Sequence, residues 1–447
     1  MAKLTGIQVY KLLPKTNCGE CNFPTCMAFA MQVAAKKVAL EACPYASEEA
    51  KRELAESAAP PMRTVTIGAG PGALQIGGET VLFRHEEKFH RPAALGIRIR
   101  DTEDVAAQID LIGQLKFIRS GKPVRADLIA LEQAGEIGSF VGAAKLIREK
   151  AELPAVLMTA DPAALEGALQ VLADRRPVVY AADKGNLQPF AQLCAKYKVP
   201  LAVKGANLEE LADLTAKVKQ SGVEDIILAP VIKNAAEGLT CLTQLRRLAL
   251  EKTYRPLGYP VLVQTAAEDP VQETLQAVMY ACKYASILIM RGKEAWQILP
   301  VLTARFNIFT DPQVPNAVDA KLYKVGEPGP DSPVIVTTNF ALTYFTVEGE
   351  VENSKVPAYI TVVETNGLGV LNSYADDKLT GTTIAKAVKS TGVMSQVRHN
   401  KVIIPGLVAV LKGELEDESG CEVVVGPEEA AGIPNFLRTE WKAQASR

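Results

Sequence analysis

Eight short apolar runs spaced along the middle of this chain constrain its fold more than any other feature. They fall at residues 95–100, 126–131, 154–159, 177–181, 200–204, 225–229, 259–264 and 286–290. Each is strand-length and nearly continuous in apolar side chains, the pattern of parallel strands buried on both faces. Amphipathic helical stretches lie between most of them, as at 162–173, 207–220 and 271–282. Eight strands alternating with helices is the count of a (β/α)8 barrel. An open doubly wound sheet has the same periodicity and stays an alternative, because a pattern cannot show closure. Barrel active sites lie at the C-terminal ends of the strands, where Asp101, Glu132, Asp161, Asp183, Lys204 and Arg291 fall. With no phosphate loop, zinc motif or nucleophile elbow among them, the barrel reads as a scaffold and docking surface.

The charge balance excludes some partners. Among 447 residues, 49 Lys and Arg face 51 Asp and Glu, a formal net charge of −2. That gives no general electrostatic reason to bind nucleic acid or an anionic membrane. The longest apolar run, near 402–411, is broken by Pro405 and Gly406 and is far short of the roughly 20 residues of a membrane span. The first residues lack a signal-type apolar stretch, so a cytoplasmic location with no membrane span is expected.

Four of the eight cysteines fall within the first 43 residues, as Cys18, Cys21, Cys26 and Cys43, spaced C-x2-C-x4-C-x16-C. Four thiolates in one short segment suit a tetrahedral zinc or an iron–sulfur cubane equally well in number. Structural zinc usually pairs two short-spaced couples. Here three cysteines converge in nine residues and the fourth stands alone, which favours a [4Fe–4S] cluster. Gly19 and Pro24 allow backbone amides to approach the sulfurs. Thr5-Gly6-Ile7-Gln8 fits a capping box opening a short helix that Pro14 ends. One straight helix from Cys26 onward would leave Cys43 roughly 25 Å away, so a break near Lys36-Lys37 is predicted. Cys194, Cys241, Cys282 and Cys421 are scattered and read as small buried hydrophobes. A further helix is expected over 47–57, Pro60-Pro61 marks a boundary, and a hairpin is expected to pair 63–67 with 80–83.

Beyond residues 312–315 a second α/β pattern begins, with strands expected at 333–338, 358–364, 401–405 and 422–426 and a helix at 380–390. The loops after these strands are rich in Gly and small polar residues: Thr337-Thr338-Asn339-Phe340, the stretch 365–373, Pro405-Gly406 and Gly426-Pro427. Such loops are ordinary turn chemistry or, after parallel strands, the walls of a cofactor crevice.

The cysteine spacing, the barrel-like middle and the strings Tyr284-Ala285-Ser286, 310–315, 336–340 and Ile404-Pro405-Gly406 together resemble one family. It is the large (gamma) subunit of corrinoid iron–sulfur proteins of the reductive acetyl-CoA (Wood–Ljungdahl) pathway, and the resemblance covers essentially the whole chain. It implies an α/β protein of three parts. These are a helical [4Fe–4S] domain with linker (1–60), a TIM-like barrel (61–315) and a Rossmann-like cobamide-binding domain (316–447). It implies a methyl carrier whose cobalt(I) takes a methyl group from methyltetrahydrofolate through a methyltransferase and delivers it to acetyl-CoA synthase. The cluster, supplied by a reducing electron donor, restores cobalt(I) from cobalt(II). The partner would be the small subunit, in a heterodimer that sandwiches the cobamide. Cobamide contacts carried over by matching strings are Asn339, Phe340, Thr346, Val370, Leu371, Asn372, Ser373, Gly432 and Ile433.

The three histidines, His85, His90 and His399, lie in no D-x-H-x-x-G string. A cobamide here would be base-off with no protein histidine ligand, which disfavours cobalt(II) and eases its reduction. Asn372 or a neighbour is expected beneath the metal, and the segment 48–59 is expected to be a swinging linker. Alternatives kept open are an oxidoreductase with its site at the barrel mouth, an electron-transfer or assembly subunit without cobamide, and an archaeal-type carrier using another tetrahydropterin donor.

Overall fold

The computed structural model describes residues 5–35, 37–47, 51, 60–119 and 121–441. The expected helix over 47–57, the swinging linker and Lys36 therefore fall largely or wholly outside the described residues. The chain divides into two compact units. One holds the chain up to Phe309 except for 118–123; the other holds 118–123 with the chain from Thr310.

The first unit begins with two short helices. Thr5 caps helix Gly6–Leu12 in the expected capping box with Gln8, and Thr25 caps Cys26–Ala34. The second helix ends at Ala34, and a 3₁₀ turn at Leu40–Ala42 follows. No unbroken helix separates Cys26 from Cys43.

A hairpin comes next, β1 (Thr64–Ile67) against β2 (Leu74–Gly77). Its second strand is not the expected 80–83. Gly77 and Gly78 turn the chain away at positive φ (74° and 64°), and Glu79 then accepts N–H bonds from His90 and Arg91, holding the following segment as a loop.

All eight expected barrel strands form: β3 (Ala94–Arg100), β6 (Leu128–Glu132), β7 (Ala155–Met158), β8 (Val178–Ala182), β9 (Leu201–Gly205), β10 (Ile226–Pro230), β11 (Leu262–Gln264) and β12 (Ile287–Met290). They are parallel in the order β10-β9-β8-β7-β6-β3-β12-β11. A parallel bridge between Leu228 and Val261 closes the ring, with Leu228 N–H donating to Pro260 O at 2.8 Å. That closure decides against the open sheet. Outward side chains such as Leu95, Ile97 and Leu131 pack under the helices, while Ala94, Leu128, Val156 and Ile227 fill the lumen. Val65, Ile67 and Ile76 of the first hairpin plug its lower end. A second hairpin, β4 (Lys116–Arg119) with β5 (Lys122–Arg125), interrupts the repeat between β3 and β6.

The second unit holds a five-stranded sheet, β13 (Leu322–Val325), β14 (Val334–Thr338), β15 (Ala358–Val363), β16 (Lys401–Ile404) and β17 (Glu422–Val425). The order is β13-β15-β14-β16-β17, with only β13 antiparallel. Helices Ala341–Ser354 and Ile433–Phe436 cover one face, and Gly381–Thr391 and Lys412–Ser419 the other. From β14 the chain crosses to β15 on one side and later to β16 on the other. The sheet therefore has a topological switch point at the C-terminal ends of β14 and β16.

Among the described residues no helix is long and apolar enough to cross a membrane.

Candidate functional site

A crevice of about 410 Å³ opens at that switch point. Its floor is strand residue Ile335, Val336 and Thr337 beside Ile403 and Ile404. One wall comes from the helix after β14 (Leu342, Thr346, Val347), another from Gly369–Asn372, and the rest from Pro405, Gly426, Pro427, Ile433, Phe436 and Leu437. Strands end here because the following loops need small residues. A Cβ on Gly406 would stand 2.6 Å from Gly426 O and 2.8 Å from Glu428 N. The lining is overwhelmingly apolar, yet the Thr337 hydroxyl is buried with no hydrogen-bond partner. Around the opening, Leu342, Leu371 and Leu407 are exposed, Leu342 at 68%.

Of the residues carried over by resemblance, Thr346, Val370, Leu371, Asn372 and Ile433 line this crevice. Phe340 lies against Gly369, whose Cβ would come 3.5 Å from its ring, and Gly432 packs on Pro427. Asn339 is 2% exposed and engaged at both ends of its amide. Its Nδ2 donates to Glu364 Oε1 at 2.8 Å, and its Oδ1 accepts from Thr365 N–H, the Thr365 hydroxyl and Gly367 N–H at 2.8–3.0 Å. It clamps the loops after β14 and β15 together. Ser373 is fully buried and donates to Val370 O at 3.0 Å. Asn339 and Ser373 shape the crevice from behind. Missed from sequence were Leu342, Ile403, Leu407, Phe436 and Leu437, ordinary apolar residues that only the fold collects.

His399 stands just before β16, at the opposite end of the strand from the crevice. Its Nε2 lies 2.9 Å from Ser332 O, its Nδ1 accepts from Lys401 N–H at 3.2 Å, and Trp441 packs edge-on against its ring.

In the N-terminal region Cys21, Cys26 and Cys43 share one apolar cluster with Val9, Leu13, Phe29 and Leu40, while Cys18 is exposed. The connecting loop coils through positive φ at Lys15, Asn17, Gly19 and Asn22, conformations that Asn and Gly tolerate best. Asn17 brackets Cys26: its N–H donates to the sulfur at 3.4 Å, and its Oδ1 accepts from Cys26 N–H at 2.8 Å. Tyr45 donates to Glu20 at 2.9 Å. That bond raises the phenol's pKa, with smaller contributions from nearby Cys18 and Cys43. Among the described residues, no three His, Cys, Asp or Glu side chains are drawn together closely enough to hold a metal.

The polar residues at the barrel's upper end are mostly tied to one another. Glu132 pairs with Arg98 (3.3 Å) and Arg100 (3.1 Å), and buried Glu273 pairs with Arg291 at 3.4 Å. Burial lowers the Arg98 pKa against the pull of Glu132, and Arg291 lowers it further. Asp101 accepts N–H bonds from Ala134 and Gly135, and Asp161 caps helix Pro162–Leu172.

A closed parallel barrel, an α/β sheet with an apolar crevice at its switch point and a cysteine-bearing N-terminal region define a modular protein of cofactor-binding architecture. The family model for the CO dehydrogenase/acetyl-CoA synthase delta subunit matches residues 64–437, and one for an Fe–S cluster matches 13–45. The corrinoid/iron–sulfur protein large subunit of Moorella thermoacetica is 44% identical over 97% of this chain and 98% of its own length. The acetyl-CoA decarbonylase/synthase complex subunit gamma of Methanothermobacter thermautotrophicus is 38% identical, with the same coverage of 97% and 98%. The chain belongs to this family of corrinoid/iron–sulfur protein large subunits and decarbonylase/synthase gamma subunits. The family model carries the delta name, but the relatives matched from end to end, cysteine region included, are the large or gamma subunits. Among solved structures, the 7,8-dihydropteroate synthase of Vibrio fischeri aligns with 56% of this chain and all of its own at 13% identity and TM-score 0.40, a likeness too slight to carry weight.

Proposed function

We propose that the chain is the methyl-carrying subunit of a corrinoid iron–sulfur protein, with a cobamide held at the crevice of the C-terminal unit. The observation that carries this reading is the crevice itself: an apolar slot at a switch point, bordered by exposed apolar side chains, in a chain whose full-length relatives are named for a corrinoid. The fit is good on three counts. The apolar lining suits the face of a corrin ring, Gly406 and Gly426 let the loops after β16 and β17 pack closely and hold the crevice's shape, and Thr337 offers a buried hydroxyl that lacks a partner. An orphaned buried hydroxyl costs about 1–3 kcal/mol, so a ligand acceptor there would be favoured.

Thr346, Val370, Leu371, Asn372 and Ile433 would form the walls, with Asn339, Phe340, Ser373 and Gly432 fixing the loops that carry them. A bound cobamide would supply a cobalt able to accept a methyl group from methyltetrahydrofolate, or another tetrahydropterin, and pass it to acetyl-CoA synthase. Cys18, Cys21, Cys26 and Cys43 would hold a [4Fe–4S] cluster supplying low-potential electrons for reactivation; they lie in the segment that the Fe–S family model matches, and binding would have to draw together thiols of which the structure gathers no three. Residues 1–60 would be the cluster domain and linker, 61–315 the barrel and 316–447 the corrinoid domain. The exposed rim of Leu342, Leu371 and Leu407 would meet the small subunit.

On this reading the cofactor is base-off; both ring nitrogens of His399 face protein atoms away from the crevice, which supports the lack of a histidine beneath the metal. Electron paramagnetic resonance of the oxidised protein tests this. The expected cobalt(II) spectrum has no nitrogen splitting from a protein ligand; a splitting that disappears in His399→Ala overturns it.

A further inference from the structure

The inward-facing positions of the barrel change character from bottom to top. Stepping by two along each strand keeps a side chain on the same face. From Ala94, Leu128, Val178, Ala202 and Leu262 in the apolar lumen, one or two such steps lead to Arg98, Glu132, Tyr180, Lys204 and Gln264. The last four of these line a cavity of about 430 Å³ at the C-terminal ends of the strands, together with Asp183, Met158 and Leu262. That volume falls within the range of small-molecule sites, and this is the end of a barrel where ligands bind.

Charge is not balanced there. Glu132 is shared by two cations, Arg98 and Arg100, and Glu273 answers Arg291. Asp183 accepts an N–H bond from Gly185 at 2.8 Å. Lys204 is half-buried and makes no ion pair among the described residues. An ammonium drawn out of water without an anion is unfavourable unless something compensates it. Met158 and Leu262 offer an apolar floor beside it, and Tyr180 and Gln264 offer a polar edge.

We propose that the mouth of the barrel is a second small-molecule site, taking a ligand whose oxyanion, a carboxylate or a phosphate, is held by Lys204. The site is separate from the crevice and does not depend on the corrinoid reading.

The test uses the heterodimer purified with its cofactors, titrated calorimetrically with inorganic phosphate in one arm and succinate in the other. A saturable isotherm with one site per large subunit is expected for at least one anion. Lys204→Met should weaken it at least about tenfold while Lys204→Arg retains it, with iron content, cobalt content and Tm unchanged. Saturation by phosphate alone assigns a phosphate ligand, by succinate alone a carboxylate, and by both the shared oxyanion chemistry. Failure of both anions to saturate, or equal binding by Lys204→Met, overturns the proposal. Gln264→Leu, at the polar edge, gives a second variant and should also weaken binding.

Discussion

Asn339 joins two loops with one amide, donating to Glu364 and accepting from three groups of the segment after β15. Removing it leaves the buried N–H groups of Thr365 and Gly367 without an acceptor. Asn339→Ala should therefore lower stability by roughly 2–4 kcal/mol, measured by denaturant unfolding, and should reduce the cobalt retained after gel filtration. At the other end of the chain the cysteines divide into two kinds. Cys194 is buried under apolar neighbours and its thiol pKa is pushed far up by that burial, which suits an inert core residue. Cys26 and Cys43 share a cluster with Cys21 beside a loop of polar turns. Cys26→Ser or Cys43→Ser should cost most of the iron and sulfide, measured by chemical analysis, while Cys194→Ser leaves both unchanged.

Elements built from one kind of pattern were readable, and those built from several were not. The eight barrel strands announce themselves because burial on both faces requires near-continuous apolar runs such as Ala155 to Met158 and Leu128 to Leu131. The strands of hairpin β4–β5 are four residues each and set Phe117, Ile118 and Val124 between Lys and Arg, and β13 is short and only partly buried, so neither stands out against loop. The expected pairing of 63–67 with 80–83 does not form, because β2 pairs there instead and Gly77 and Gly78 turn the chain away. The crevice was half legible. Its Gly-rich loops could be seen, but Ile403, Leu407 and Phe436 meet there only through sheet order. Loop closeness at that point is itself a prediction. Gly406→Ala would press a methyl onto the backbone of Gly426 and Glu428. It should lower stability by roughly 1–3 kcal/mol and reduce cobalt retention, read by Tm and metal analysis together.

Across the whole molecule, the chain separates tasks between its parts. The barrel is a closed body with an apolar lumen, a lower end plugged by a hairpin and a polar cavity at its upper end, while the sheet of the second unit keeps an apolar crevice and an exposed rim. A rim holding Leu342 at 68% and Leu371 at 52% exposure is more apolar than a solitary surface favours. On the proposed reading, the cobamide and the small subunit cover it. Leu371→Glu, which puts a charge on that rim, should weaken heterodimer formation and cobalt retention together, measured by analytical ultracentrifugation and metal analysis, without lowering the iron content.

The central claim is that one chain joins an iron–sulfur cluster to a corrinoid crevice. Anaerobic purification with the accompanying small subunit, followed by counting iron, sulfide and cobalt per heterodimer, tests it most directly. The account predicts about four irons, four sulfides and one cobalt. Four irons without cobalt, with the small subunit present, would contradict it.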